Sequence, residues 1–546
     1  MSLTRRQLLQ TALCGALGVA AGCGTSTVSP VQPVPPLPAV SPFPQPPVLS
    51  SRDGVLATEL VAANTPSTIA GRSLLTSTYN GMIPGPTLRV RQGELLNVRF
   101  QNQLPVSNQP APANPNLPPQ NPSITNLHTH GFHVTPQDPG DNVLLTLAPG
   151  AVHDYSYQLP GNHPAGTYWY HPHNHGSVSV QMFGGMAGAI LIEGEIDQVP
   201  EIAAARDIVM IQQVLRVDSS GRVPPLDFST FFNDTEQIAL LNGLVNPTLE
   251  MLPGEVVRVR FINAGVAAFI LLALEQHTLF QIAADGNNFP QPVELSQILL
   301  GNANRADFLI RAGQPGTYAL QSLSHDQGFG PTQPFTMATV KVLDAPPIDM
   351  GIPTSLPVSS LLRFIEPEEV TNRRQLTFEV IPPQPDFPIA GFEIDGQKFD
   401  PDRIDQLVEL GAVEEWTVFN TTPFEHPFHI HVNPFLVIEQ NGVPLATPVW
   451  RDTIILPAMA AGTPGSITFR TRFLDFEGVY VLHCHILTHE CVGMMQTVSV
   501  VPPGLSRQET ERKLAQHRQQ MAGLKPDEFC GPLPRPNAWL RWGGPS

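Results

Sequence analysis

A 17-residue segment occurs twice in this chain, 161 residues apart and without gaps. Pro86-Thr-Leu-Arg-Val-Arg-Gln-Gly-Glu-Leu-Leu-Asn-Val-Arg-Phe-Gln-Asn102 and Pro247-Thr-Leu-Glu-Met-Leu-Pro-Gly-Glu-Val-Val-Arg-Val-Arg-Phe-Ile-Asn263 agree at nine positions. Each copy follows an Asn-Gly pair, Asn80-Gly81 or Asn242-Gly243. Its second half alternates apolar and polar residues, as a half-buried strand entered through a tight turn does. A fainter third copy follows Asp395-Gly396 and runs over Gly411-Ala-Val-Glu-Glu-Trp-Thr-Val-Phe-Asn420. Three similar β-domains account for a repeat of this length, and 546 residues leave room for three to four. Runs such as Gly188-Ala-Ile-Leu-Ile192, Gly316-Thr-Tyr-Ala-Leu320 and Gly478-Val-Tyr-Val-Leu482 are spaced by Gly and Pro, which predicts sandwiches or barrels rather than βαβ units. Pro (59) and Gly (43) reach about 19% of the chain against an average nearer 12%. The reading is all-β, with domains at 51–197, 198–345 and 360–502 and breakers at Asp344-Ala-Pro-Pro347 and Val501-Pro-Pro503.

The ends read differently. Thr4-Arg5-Arg6-Gln7-Leu8-Leu9 resembles a twin-arginine motif, and the apolar stretch after it makes residues 1–23 an export signal. Ala20-Ala21-Gly22-Cys23 resembles a lipoprotein cleavage box, which makes Cys23 a candidate lipid anchor. The chain would then be periplasmic, extracellular or membrane-anchored. Residues 24–50 hold Pro at 30, 33, 35, 36, 38, 42, 44, 46 and 47 and read as an extended, mobile tether. Ser506-Arg-Gln-Glu509 is a capping-box pattern that opens a polar surface helix to Ala522 within the tail 503–546. Past the leader no apolar run is long enough to span a membrane. A net charge of −17 disfavours nucleic acid as a partner, and Cys484, Cys491 and Cys530 are too few to build a disulfide-held fold.

Seventeen histidines in this length set a chance expectation of roughly half a His-x-His pair. Five occur: His128-Thr-His130, His171-Pro-His173, His173-Asn-His175, His429-Ile-His431 and His483-Cys484-His485. On a strand, residues i and i+2 share a face, so each pair directs two imidazoles to one place. Eight nitrogen ligands exceed the needs of one tetrahedral zinc, so several metals must share them. In the last motif the alternation sends Cys484 to one face and both histidines to the other. On the Cys side follow His489 and Met494, with His426 on an earlier segment. Two His, a thiolate and a weak Met form the ligand set of a copper electron-transfer site.

These motifs resemble the three-domain multicopper oxidases of the bacterial laccase-like kind, over about residues 50–502. They are His128-Thr-His130-Gly131, Tyr170-His171-Pro-His173, His426-Pro-Phe-His429-Ile-His431 and His483-Cys484-His485 followed by His489 and Met494. The resemblance implies three cupredoxin-like Greek-key β-barrel or sandwich domains and four coppers per chain. It assigns His426, Cys484, His489 and Met494 to a type 1 copper, and His128 and His429 to a type 2 copper. His130, His171 and His485 would hold one type 3 copper, and His173, His431 and His483 the other. The cluster would lie between the first and third domains, with the second as a spacer. The implied reaction passes single electrons from phenols, aromatic amines, metal ions or similar small reductants to O2, which takes four electrons and four protons to become two waters. Glu490 matches a proton-relay position of some members; Asp141 is a second candidate although Asp138-Pro-Gly-Asp141 departs from the usual spacing.

Several residues stay open at this level. His133 and His175 flank motifs and are either orienting groups or exposed, whereas His153, His163, His277, His325 and His517 read as ordinary. Met495 is an alternative axial ligand, and a Cys491–Cys530 disulfide is a hypothesis that sequence cannot decide. Two neighbouring functions compete with the laccase-like one. A cuprous oxidase would need methionines such as Met182, Met186 and Met459 to gather in space, and a copper-free scaffold would be expected to lack the ligands.

Overall fold

The computed structural model describes residues 39–106, 121–224, 236–382 and 391–512. The chain divides into two compact units, Met1–Ala39 and Val40–Ser546, and the second holds every described sheet. Six sheets form three sequential pairs. In the first, a five-stranded sheet runs in the order Val48–Ser50, Thr87–Arg91, Gly188–Glu193, Gly166–His171, His128–His130. Its partner has four strands, in the order Arg72–Tyr79, Val55–Ile69, Leu95–Asn102, Val152–Gln158. The second and third pairs each join a six-stranded to a five-stranded sheet, over Arg206–Val342 and Asn372–Val501 in outline. Each pair encloses its own apolar core, built around Leu60, Phe100 and Tyr170, around Leu249, Phe261 and Phe308, and around Trp416, Phe428 and Phe469. Some successive strands turn back as hairpins, such as Val55–Ile69 with Arg72–Tyr79, while others cross between the two sheets of a pair. In the third pair, Gln406–Glu409, Ala412–Asn420, His426–Ile430 and Phe435–Gln440 alternate between the two layers. The architecture is therefore all-β, with the Greek-key style of connection expected from the sequence.

The repeat has a local cause. Its three strands, Leu95–Asn102, Val256–Asn263 and Ala412–Asn420, each pair in parallel with the first long strand of their own unit. The turns that precede them hold positive φ at both central residues, Asn80-Gly81, Asn242-Gly243 and Asp395-Gly396, a conformation that Gly and Asn or Asp adopt at least cost. The Asn that closes each copy clamps a loop. Asn102 donates to Ser123 and Leu147 carbonyls, Asn263 to Leu300 and Gly301, and Asn420 to Phe424 and Pro457. In each case Oδ1 also accepts the backbone N–H two residues on. Buried loop carbonyls must find a donor, so the Asn recurs.

The sheet pairs are joined by apolar and ionic contacts. Trp169, Val178, Ile211, Ile262, Leu487 and Cys491 share one interface core. Between the first two pairs, Arg258 and Arg260 are buried among Asp197, Asp207 and Asp307 at 2.6–2.8 Å for the shortest four contacts.

Two sequence expectations change. The stretch 24–50 is not a free tether over its described second half. Phe43 is buried in the core of the second sheet pair, and Gln45 both donates to and accepts from the Val209 backbone. Val48–Ser50 adds a strand to the first sheet, so the folded body begins before residue 51. Burial of one aromatic ring and satisfaction of a strand edge outweigh the extended preference of the prolines. In the tail, Ser506 and Glu509 do form the capping interaction of a helix that begins at residue 507. Its continuation to Ala522, the export signal, Cys23, His517 and Cys530 lie outside the described residues. No helix among the described residues is long and apolar enough to cross a membrane.

Candidate metal centre

Strand register assembles the histidines. His128–His130 runs antiparallel to Gly166–His171, placing His128 opposite His171. His426–Ile430 runs antiparallel to Gly478–Cys484, placing His429 opposite His483 and Phe428 opposite Cys484. The ends of these strands, one pair from the first sheet pair and one from the third, meet. His128 stacks on His431 with ring centroids 4.0 Å apart, and His130 on His429 at 3.9 Å. His173 Nε2 lies 3.2 Å from His483 Nε2 across the same junction. All eight side chains are at most 2% exposed.

Within this cluster, overlapping triads bring one donor nitrogen each within 4.8 Å of the others. They include His130 with His171 and His485, His128 with His173 and His431, and His429 with His431 and His483. The far nitrogens are fixed by the protein. His171 Nδ1 donates to the Pro172 carbonyl, His483 Nδ1 to the Cys484 carbonyl and His429 Nδ1 to the Asp452 carbonyl. This leaves His128 Nε2, His171 Nε2, His429 Nε2, His130 Nδ1 and both nitrogens of His431 and His485 buried without a hydrogen bond. Burial also pushes the imidazole pKa values down, to about 3 for His171 and about 4 for His173 and well below the ordinary value for His128, His130, His429, His431 and His485. Buried neutral imidazoles whose nitrogens find no partner in the protein have the chemistry of metal ligands, since such orphaned polar atoms are otherwise expensive.

Cys484 faces the other way, as the alternation requires. Its Sγ lies 3.4 Å from His426 Nδ1 and 3.8 Å from His489 Nδ1, and those two nitrogens are 3.3 Å apart. Burial raises the thiol pKa well above its usual value, so a bound cation would have to deprotonate it. His426 Nε2 is tied to Thr422 Oγ1 at 2.7 Å, and Phe392 stacks on His489 at 3.7 Å. Met494 shares the core cluster of Cys484, and its carbonyl accepts the Cys484 N–H. Met495 belongs to a different cluster with Val143 and Val481, which separates the two axial candidates.

Both carboxylates singled out in the sequence are at the cluster. Asp141 Oδ2 is 2.7 Å from His128 Nδ1, while Oδ1 accepts from Thr129 N–H and Oγ1. Burial raises its pKa to about 7 against the Thr129 bonds. Glu490 is fully buried with Oε2 3.0 Å from His483 Nδ1 and Oε1 3.8 Å from His173 Nδ1. Cys491 is a buried thiol 3.1 Å from Ser179 Oγ. Of the flanking histidines, His133 bridges to the Val432 carbonyl and Asp475, and His175 packs on Phe399. His163, read as ordinary, is buried and accepts the His133 N–H.

Sequence reasoning missed Asp452 and Thr453, which hold His429 and His130, and Trp169, stacked on His171 at 4.2 Å. It also read the second sheet pair as a spacer without chemistry, whereas Arg305 from that pair grips Asp452. Nothing periodic marks these residues.

Three multicopper oxidase family models match the chain, over residues 116–196, 209–342 and 368–504. A laccase from Bacillus stratosphericus is 27% identical over 471 residues, covering 78% of this chain and 90% of the relative. A cell division protein FtsP from Edwardsiella tarda is 28% identical over 473 residues, covering 83% and 90% respectively. Among solved structures, a multicopper oxidase from Campylobacter jejuni described as a metallo-oxidase is similar at a TM-score of 0.68 and 25% identity, covering 84% of this chain and 96% of that one.

Proposed function

The chain belongs to the multicopper oxidase family and is an oxidoreductase with O2 as acceptor; from that premise we propose that it is an exported, laccase-like oxidase of phenols, aromatic amines or similar small reductants. The donor sets fit copper. His426, Cys484 and His489, with Met494, would hold a type 1 copper, since soft sulfur with two imidazoles favours that metal. His128 and His429 would hold a type 2 copper, and the triads His130, His171, His485 and His173, His431, His483 a type 3 pair, four coppers in all. When bound, the coppers supply one-electron storage and transfer, which lets O2 take four electrons without releasing a partly reduced product.

The chain's own residues do the remaining work. Cys484 and its covalent neighbours His483 and His485 join the two sites through a few bonds of one strand. Asp141 and the carbonyls of Pro172, Cys484 and Asp452 orient the imidazoles, so that the inward nitrogens keep their lone pairs. Burial raises the Glu490 pKa, but His483 and His173 hold it down at about 2, so this ionised carboxylate is positioned to accept and pass on protons for the oxygen side. The observation that carries the reading is the set of buried, unpartnered, inward-facing His nitrogens.

Two other readings are weaker. Met182 and Met186 lie in separate buried cores and Met459 is exposed, so the methionines that a cuprous oxidase would gather are scattered. A copper-free scaffold would be expected to lack the ligands, whereas donor atoms of His426, Cys484 and His489, and of the histidine triads, lie within 4.8 Å of one another. The test is copper per chain, the visible spectrum, and O2 uptake with a phenolic donor. Four coppers, a blue band abolished by Cys484→Ser, and uptake without accumulated peroxide are expected; one copper or none, without uptake, overturns the reading.

A further inference from the structure

The middle sheet pair supplies no copper ligand, yet one of its side chains reaches the ligand cluster. Arg305, on the strand Arg305–Arg311, is fully buried. Its Nη1 and Nη2 donate to Asp452 Oδ1 at 2.8 Å and Oδ2 at 2.6 Å, a bidentate pair. Its Nε donates to the Thr167 carbonyl at 3.1 Å, and the guanidinium lies 5.6 Å from the centroid of the Tyr168 ring. One side chain thus touches the first and third sheet pairs from the second. Behind it, Asp285 accepts the Arg305 N–H, and Asn304 donates to Asp285 and to the Thr453 carbonyl.

Asp452 passes this grip on to two ligands. Its carbonyl accepts from His429 Nδ1 at 2.7 Å, and its Oδ1 accepts from Thr453 Oγ1 at 2.9 Å. That hydroxyl lies 3.2 Å from both His130 Nε2 and His429 Nδ1. The result is that His130 presents Nδ1 and His429 presents Nε2, the two atoms left unpartnered. A second feature shows that the clamp is built in. Gly131, directly after His130, adopts φ +86°, and a Cβ there would fall 2.4 Å from Asp452 Oδ2 and 2.6 Å from Arg305 Nη2. The turn after the first ligand pair has room for the clamp and for nothing else.

We propose that Arg305 is a positioning residue for the copper cluster: its bidentate hold on Asp452 fixes His429 and His130, so the middle unit sets how firmly the type 2 position retains its metal. The proposal rests on the copper reading above. The type 2 position has only two histidines, so loss of one fixed imidazole weighs most there. Among the described residues, the hydrogen bonds of Cys484, His426 and His489 run to one another, Thr422 and nearby backbone rather than to Arg305 or Asp452, so the type 1 site should be indifferent to the clamp.

The test uses the full, copper-loaded chain and two variants. Arg305→Lys keeps a charge but cannot span both Asp452 oxygens. Arg305→Met with Asp452→Asn removes both charges of the clamp, and Asp285, which also faces Arg305, keeps Arg451 at 3.7 Å. Copper per chain after dialysis against a chelator, the type 2 and type 1 electron paramagnetic resonance signals, the blue band and the melting temperature of the copper-free chain are measured. The double variant should retain the type 2 copper about 10–100-fold more weakly, with the type 1 signal and blue band unchanged, and the Lys variant should fall between. Wild-type retention and an unchanged type 2 signal in both variants would overturn the proposal. So would parallel loss of both copper types alongside a fall in the copper-free melting temperature, the mark of a purely structural role. A wild-type chain that binds no copper at the cluster would overturn the copper reading itself and this inference with it.

Discussion

Asp141 offers a sharp test of how the cluster is oriented, because its two oxygens do two different jobs. Oδ2 takes the proton of His128 Nδ1 at 2.7 Å, and Oδ1 takes the Thr129 N–H at 2.9 Å. A carboxylate accepts on both sides, whereas an amide has one acceptor and one donor. In Asp141→Asn, if the amide oxygen keeps Thr129, the NH2 faces His128 and favours the tautomer whose proton sits on Nε2. That nitrogen is the one left free for metal. If the amide flips, its NH2 meets the Thr129 N–H. Losing such an orienting partner typically weakens metal binding about 10–100-fold, or about 1.4–2.7 kcal/mol. Asp141→Ala removes the acceptor without adding a donor, so Asn should be at least as damaging as Ala despite its closer shape. Chelator competition on the two variants and the wild type reads this directly. If Asp141→Asn holds copper within about twofold of wild type, or Ala is tenfold worse than Asn, the tautomer argument fails.

Three other perturbations follow from particular contacts. Phe43→Ala should cost on the order of 3–5 kcal/mol at a well-packed site and expose residues 40–50 to protease before the body unfolds; cleavage as slow as in the wild type would show that the segment is held by its backbone alone. Gly131→Ala adds about 1–2 kcal/mol of left-handed strain and drives a Cβ into the Arg305–Asp452 pair, so both the melting temperature and copper content should drop together. Burial opposes ionisation of Asp207, but Arg260 and Arg258 hold its pKa down at about 2. A depressed carboxyl contributes stability above its unfolded pKa and loses it as pH falls from about 4 to about 2. After solvent screening this amounts to about 1–2 kcal/mol. Asp207→Asn should therefore be less stable at pH 7 and lack that step in an acid titration followed by circular dichroism.

The fold was legible because its information is local and repeated. The Asn-Gly and Asp-Gly turns, the alternating strand and the closing Asn each answer a backbone demand that recurs wherever the same strand is built. A single sequence shows that demand three times. The tether was misread for the opposite reason. Its prolines report a local preference for extended chain, and nothing local reveals that Phe43 has a cavity waiting in a core some two hundred residues downstream. Composition describes what a segment does when nothing else binds it, and tertiary burial overrode it here.

The same division runs through the site. The converging histidines could be read because a strand puts residues two apart on one face, and that period survives in the sequence whatever the tertiary arrangement. His483-Cys484-His485 even discloses that one strand serves two sites, with Cys484 turned toward His426 and both histidines turned toward the cluster. The groups that orient the ligands leave no such trace. Asp141, 13 residues from His128, came to notice only through the family resemblance and as a proton-relay candidate, and Asp452 is gripped by an arginine 147 residues earlier in the chain. Such partners need only one acceptor at one point, which any loop can supply, so no spacing rule identifies them. A consequence is that ligand motifs alone cannot distinguish a chain that holds its metals firmly from one that merely collects histidines. That property lies in the carboxylates and carbonyls behind the imidazoles, and in this chain part of it comes from the one sheet pair without a ligand.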